Sequence, residues 1–251
     1  MTDKKSYSQF AQQWAQKVRS GENITHTYLE KPGMYAALPD LKGKAVLCVG
    51  CGTGEECQEI MSRGAAHVVG IDNAEGLIDL ATQSYPSVEF HVMDMEELDF
   101  PNASFDFIYS SLALHYIKDW TPMLQRMHAI LKPGGEILAS IHHPLRSAME
   151  QKKDGDTFSY NLGFSRTGND KGEAFGDYLT LREIEDTLFN QLKVTYYHKP
   201  LSVILKNITE AGFAMGECIE PKPLEEAKAK KKNFYTVHQK IPLVMILKLK
   251  K

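Results

Sequence analysis

The run Ala45-Val46-Leu47-Cys48-Val49 breaks off into Gly50-Cys51-Gly52-Thr53-Gly54, and a helical pattern starts at Glu55. Few folds accommodate such a join. Glycines at alternate positions between a strand and a helix let backbone come close to a ligand. The helix start adds free N–H groups and a positive dipole end. Further strand–helix pairs follow at the same pace. Strands are expected at residues 67–71, 88–92, 105–110 and 136–141, and helices at 55–63, 75–83 and from Thr121 to about 131. Thr53-x-x-Glu56 reads as a capping box for the first helix and Asp72-x-x-Glu75 for the second. Pro122 suits a first helical position, and Lys132-Pro133-Gly134-Gly135 stops that helix. Strands alternating with helices indicate parallel βαβ units, whose ligands sit at the strand carboxyl ends. Functional groups are therefore expected just after residues 49, 71, 92, 109 and 141.

The flanks follow other patterns. Phe10, Trp14 and Val18 recur every four residues beside Tyr7 and Ala11, one apolar face of a helix. Residues 21–39 read as loop or broken helix, punctuated by Pro32, Gly33 and Pro39. Residues 145–197 interrupt the rhythm with glycines at 155, 163, 168, 172 and 176 and several aromatics. They are expected to form an inserted cap of short strands or a helix over the end of strand five. A helix at 201–211 ends at Gly212, a strand follows at 213–220, a polar loop at 221–232 and a closing strand at 241–248. The chain thus reads as a single domain over 1–251. Residues 1–40 form a helical lid, 41–144 the cofactor-binding half, 145–200 the cap, and 201–251 the C-terminal helix and closing strands.

Composition narrows the function classes. The chain has 251 residues, 43% hydrophobic and 24% charged, enough to bury a full core without staples. Four cysteines exclude a disulfide scaffold and fit a reducing, cytoplasmic setting. Net charge is -3, with 29 basic against 32 acidic residues, which argues against a nucleic-acid partner held through phosphates. The Met1–Phe10 segment lacks the apolar stretch of a signal peptide. The longest apolar run, residues 241–249, is far too short to span a bilayer, so no membrane partner is expected. Cys48-x-x-Cys51 has metal spacing, but no second pair completes a zinc site, so packing is the expected role and no metal is expected. Lysines 228, 230, 231 and 232 read as a solvated loop.

Three positions specify the ligand further. The glycine turn runs G-x-G-x-G, with Glu55 where the dinucleotide fingerprint wants its third glycine, so NAD is the weaker reading. Asp72, after Val68-Val69-Gly70-Ile71, can accept from both ribose hydroxyls. Asp94 in Met93-Asp94-Met95 can accept from an exocyclic amine, while Met95 offers an apolar wall. Together with Leu131-Lys132-Pro133-Gly134-Gly135, these segments span roughly residues 41–145. In their order and spacing they resemble the class I S-adenosylmethionine (SAM)-dependent methyltransferases.

Leu114-His115-Tyr116-Ile117, His143-Pro144 and residues 197–201 followed by Ala211-Gly212-Phe213 are similar to the small-molecule branch of that family. The resemblance implies an α/β fold: a doubly wound, mostly parallel seven-stranded sheet with helices on both faces and an antiparallel last strand. It implies SAM as cofactor and S-adenosylhomocysteine (SAH) as product. Gly50, Cys51, Gly52, Thr53 and Gly54 would face the methionine part, Asp72 and Asn73 the ribose, Asp94 and Met95 the adenine, with Ser110 beside them. The chain departs from the family at Cys48, where an acidic residue is usual, and at His142, where the branch often has Glu.

The implied reaction is methyl transfer to a small-molecule O, N or C nucleophile; the alternative is a non-catalytic SAM-binding sensor or partner protein. Ser110-Ser111-Leu112-Ala113 lacks the Asp/Asn-Pro-Pro-aromatic segment of amide- and base-directed N-methyltransferases, which argues against DNA. The catalytic candidates are His142, His143 and His115, with His198 further off. His142 leads, because it follows the carboxyl end of strand five and a neutral imidazole there can take a proton or hold a hydroxyl.

Overall fold

The computed structural model describes residues 4–155, 157–168, 171–188 and 191–251. Residues 1–3 of the expected lid and 156, 169, 170, 189 and 190 of the expected cap lie outside them. Helices α1 (Lys4–Gln9) and α2 (Ala11–Ser20) come first, followed by a π-helical turn, His26–Glu30, that runs into α3 (Lys31–Ala37). The alternating core is β1 (Ala45–Val49), α4 (Glu55–Ser62), β2 (His67–Asp72), α5 (Glu75–Ser84), β3 (Glu89–Val92), β4 (Phe105–Ser110), α6 (Trp120–Ile130) and β5 (Leu131–His142). The insertion holds α7 (Pro144–Ala148) and three hairpins. These are β6 (Glu150–Asp154) with β7 (Thr157–Asn161), β8 (Gly163–Arg166) with β9 (Gly172–Phe175), and β10 (Arg182–Leu188) with β11 (Leu192–His198). The chain closes with α8 (Leu201–Glu210), β12 (Ala214–Ile219), α9 (Ala227–Lys230), α10 (Lys232–His238) and β13 (Val244–Lys250).

The main sheet has seven strands in the order β12-β13-β5-β4-β1-β2-β3. β1 to β5 pair in parallel, and β13 runs antiparallel to both β5 and β12. Both faces are covered, which is why β1 and β4 read as nearly continuous apolar runs. Successive side chains point to opposite faces. Leu47 and Val49 therefore pack with Met123 and Leu124 of α6 and Ile204 of α8, while Val46 and Cys48 pack with Met34, Cys57 and Ile60 of α3 and α4. The chain winds outward from β1 to β3, then returns to place β4 on the other side of β1. That reversal opens a crevice at the carboxyl ends of β1 and β4.

Several local expectations need correcting. Residues 21–39 are mostly helical: Pro32 sits in the first turn of α3, directly after the π-helical turn. The Thr53-x-x-Glu56 box does not form. Gly54, at φ +85°, caps α4; Thr53 Oγ1 donates instead to Glu55 Oε2 (2.6 Å), and Glu56 is drawn away by Lys31 and His26. The N-cap of α5 is Ala74, and Asp72 takes the Ala74 N–H (3.0 Å) rather than closing a box with Glu75. α6 begins one residue early at Trp120, because the Asp119 carboxylate accepts from the Thr121 N–H (3.1 Å). Residues 132–135 stop that helix but belong to β5, bulged out where the register with β4 jumps between Phe105 and Phe107. Residues 221–232 contain α9, and α10 follows directly. The hairpin strands answer to the short strands expected in the insertion, and α7 to its helix. Among the described residues no helix is long and apolar enough to cross a membrane.

Candidate functional site

A cleft of about 1070 Å³, its open mouth included, lies over the carboxyl ends of β1 and β4. Its floor is the glycine turn. The Cys51 N–H donates to the Ile71 carbonyl (2.9 Å), which folds the turn back over β2. Gly50, Gly52 and Gly54 all have φ between +54° and +85°, where a side chain is strained. A Cβ on Gly50 would lie 2.5 Å from the Ala113 Cβ, so glycine alone lets the loop after β4 close on the turn. A Cβ on Gly52 would approach the indole Nε1 of Trp14 at 3.4 Å, on the cleft side.

Asp72 stands at one end of the cleft. Its two carboxylate oxygens accept from the Gly52 and Ala74 N–H groups, each at 3.0 Å. Burial nevertheless holds its carboxyl above the usual range. Each oxygen retains lone-pair capacity for a ribose hydroxyl. Asn73, Met93 and Met95 line the same end. Gly50, Cys51, Gly52 and Thr53 line the floor. Three expected residues do not line the cleft. Gly54 lies under the turn against Phe90 and Tyr85. Ser110 is fully buried and donates to the Val49 carbonyl (3.0 Å), joining β4 to β1. Asp94 accepts from the Glu96 N–H (3.0 Å), a turn contact. Cys48, Cys51 and Cys57 are buried together, and burial pushes the Cys51 and Cys57 thiols well up, as packing thiols behave. Cys57, on α4, is thus part of this group, while Cys218 is exposed.

The roof and far end were not legible in the glycine motif. α2 crosses the cleft, with Trp14 and Val18 in the lining. It is held by Arg19, which donates to Glu55 (2.7 Å) and to Ser84 (2.9 Å). The Tyr7 and Tyr116 hydroxyls meet at 2.8 Å. At the far end His26 lies between Glu30 (3.4 Å) and Glu56 (3.3 Å), with Lys31 3.0 Å from Glu56. Against the cost of burial, His26 and Lys31 pull the Glu56 carboxyl down to about 2, and Glu56 raises His26. Glu30 is wholly buried and accepts from Ser111 (2.9 Å) and Ser140 (2.5 Å) hydroxyls. Ser140 Oγ in turn accepts from the Leu112 N–H (2.9 Å), so the chain Leu112–Ser140–Glu30 fixes Leu112 at φ +50°. The i,i+4 spacing of His26 and Glu30 was the one available sequence signal.

A second cavity of about 1280 Å³, mouth included, adjoins the first. Trp14, Asn23, Leu112 and Tyr116 line both. β10 and β11 cover it from the insertion: Asp186, Leu188, Val194 and Tyr196 face inward. His115 and His142 stack inside it with ring centroids 3.8 Å apart and planes 21° apart. Both His115 nitrogens and His142 Nδ1 have no hydrogen-bond partner among the described residues. Burial holds both imidazoles well below their usual pKa, and Arg146 adds to the effect. The structure separates His143 from this pair. It caps α7, accepting from the Leu145 N–H (3.2 Å), and binds Glu220 (2.9 Å). His198 is likewise engaged elsewhere, with Ser147 and the Tyr178 carbonyl, each at 2.8 Å.

Comparison with known proteins bears on what the cleft holds. A family model described as a methyltransferase domain matches residues 46–135. A putative SAM-dependent methyltransferase from Listeria monocytogenes superposes with TM-score 0.72 at 25% identity, over 88% of this chain and 96% of that one. The chain belongs to the class I SAM-dependent methyltransferases. A Mesorhizobium loti SAM-dependent methyltransferase shares the fold, with TM-score 0.73 at 22% identity over 92% and 99% of the two chains. The methyltransferase is also 30% identical to an uncharacterized protein of Haemophilus influenzae, over 82% of this chain and 81% of that one. It is 31% identical to a trans-aconitate 2-methyltransferase of Deinococcus radiodurans, over 55% of each. SAM is the cofactor of this family and SAH its product. The positive-φ glycine floor and the partly buried Asp72 fit SAM lying along the cleft, since any side chain at Gly52 would occupy that space.

Proposed function

We propose that the protein transfers a methyl group from SAM to a small-molecule acceptor. The observation that carries this reading is the pair of adjoining cavities: a glycine-floored cleft and a chamber that holds the stacked His115–His142 pair, with Trp14, Asn23, Leu112 and Tyr116 lining both. A non-catalytic SAM sensor has no need of the second chamber. Bound SAM supplies a methyl group on a cationic sulfur with a neutral leaving group. The protein's task is then chiefly to orient two reactants, which can lower a barrier by several kcal/mol.

In this reading Asp72 accepts from the ribose, Asn73 and Met95 flank the nucleoside, and the backbone of Gly50 to Thr53 lies beneath the methionine part. Asp94 and Ser110 support these groups from behind. His115 and His142 hold the acceptor, and α2 with Trp14 covers the cleft as a lid. The hairpins after β5 act as the cap that keeps water from the chamber. A small acceptor is favoured because β10, β11 and the N-terminal helices cover the chamber on several sides, and because relatives include a trans-aconitate 2-methyltransferase. The test is transfer of isotopically labelled methyl from SAM to a panel of metabolites. Labelled product with stoichiometric SAH supports the reading; SAM binding without turnover on any acceptor favours the sensor.

A further inference from the structure

We infer that the acceptor is a carboxylate, gripped in the second chamber by Arg146 and the stacked His115–His142 pair, and that the product is a methyl ester. The inference rests on the proposed methyl transfer and names its substrate class.

The chamber lining carries Lys17, Arg146 and Lys231 against Glu22 and Asp186, one positive charge in excess. Asp186 lies 3.9 Å from Arg146, beyond hydrogen-bond reach, so the guanidinium donors stay open to a ligand. The Arg146 guanidinium is only partly exposed and raises the local potential enough to act on both histidines. Guanidinium groups bind carboxylates through two parallel N–H donors.

Buried polar atoms are almost always hydrogen-bonded, so three unpartnered ones on two stacked rings mark a place where a polar ligand belongs. A neutral imidazole offers one N–H donor. Two such donors beside a guanidinium form a set suited to an anionic oxygen pair.

A hydroxyl acceptor has to lose a proton as it attacks, and an ammonium has to lose one before it can attack. The groups facing the histidine pair are Arg146 from α7, Asp186 from β10, Tyr196 from β11, Tyr116 from the turn after β4, and Lys199 just beyond β11. Burial keeps both imidazoles poor proton acceptors and raises the two tyrosines, Lys199 donates to the Ile117 carbonyl (2.5 Å), and the Asp186 carboxylate accepts from the Thr187 N–H (2.7 Å) beside the Arg146 cation. A carboxylate needs no base. Its oxygen attacks the methyl carbon, the carbon–sulfur bond breaks, and the electron pair stays on sulfur. The negative and positive charges cancel, and no proton moves.

The experiment incubates the enzyme and methyl-labelled SAM with a deproteinised small-molecule extract of the cells that express it. The products are then treated with mild alkali. A methyl ester releases its label as volatile methanol, whereas N-, S- and C-methyl groups and methyl ethers keep theirs. The inference expects alkali-labile label and a turnover rate without an ionisation limb between pH 6.5 and 8.5. It also expects Arg146→Gln to raise the acceptor KM by about 10- to 100-fold with a much smaller change in kcat, and Arg146→Lys to restore part of the loss. Alkali-stable label would overturn the carboxylate while leaving methyl transfer standing. Labelled ester with an unchanged KM in Arg146→Gln would overturn the assigned grip. No labelled product at all would contradict the methyl transfer and the inference together.

Discussion

His115 and His142 lie 3.8 Å apart in the same chamber, yet they read very differently in the sequence. His142 was visible because it ends a strand of a parallel sheet, where ligands gather. His115 lies in a short turn after β4, and only folding brings it beneath His142. His143, one residue on, points away because α7 begins there and uses its ring as a cap. Arg146 carried no sequence signal, since an arginine at the start of an insertion is commonly a surface residue. Burial makes both imidazoles poor proton acceptors, so the loss of one removes a hydrogen bond rather than a base. His142→Ala is therefore expected to lower methyl transfer about tenfold at every pH from 6.5 to 8.5. SAM affinity should be unchanged, because the glycine turn and Asp72 lie in the other cavity. A loss of 10²-fold or more, with the acid limb of the wild-type pH–rate profile abolished, would assign His142 as a general base.

At the scale of elements, sequence periodicity reached the sheet and its helices because both faces of β1, β2 and β4 are buried and each crossover carries its own turn residues. It missed what depends on partners distant in sequence. Glu56 was expected to close a capping box, but the π-helical turn brings His26 and Lys31 to it instead. π-Turns recur at functional sites, and this one delivers His26 to the cleft and Glu30 to Leu112 through Ser140.

The ion cluster has a pH signature. Glu56 lies below its unfolded pKa, so its contribution is present above about 4.5 and is lost as pH falls toward 2. His26 lies above its unfolded pKa, so its contribution is present below about 6.5 and is lost as pH rises through the folded value. Stability from this cluster is greatest between those limits. Glu56→Gln should lower the unfolding free energy near pH 6 by about 3 kcal/mol and flatten its fall in acid; denaturant melts at pH 3, 6 and 8 measure both. The lid is a separate element. Removing residues 1–20 takes away Trp14, Tyr7 and the Arg19 bonds while leaving the sheet and its two apolar cores. The truncated protein should keep its cooperative melt and lose most of its turnover; full turnover would show that α1 and α2 do not serve as a lid.

Across the whole molecule, segments far apart in the chain converge on one wall. The N-terminal helices, the loop after β4, the inserted hairpins and the stretch around Lys231 meet where the two cavities share Trp14, Asn23, Leu112 and Tyr116. The cofactor half was legible because its residues are close in sequence and obey one local rule. Of the acceptor half only His115 and His142 were legible, because five segments supply it and Arg146, Asp186 and Tyr196 come from an insertion without a motif. The account's central claim is that the glycine-floored cleft binds SAM through Asp72. Calorimetric titration of the full-length protein with SAM and with SAH, beside Asp72→Ala, tests it directly. The account predicts saturable one-site binding of both ligands to the wild type and a loss of about 10- to 100-fold for both in the variant, the worth of one charge-assisted hydrogen bond. Equal affinity in wild type and variant, or saturable binding of NAD in place of SAM, would contradict it.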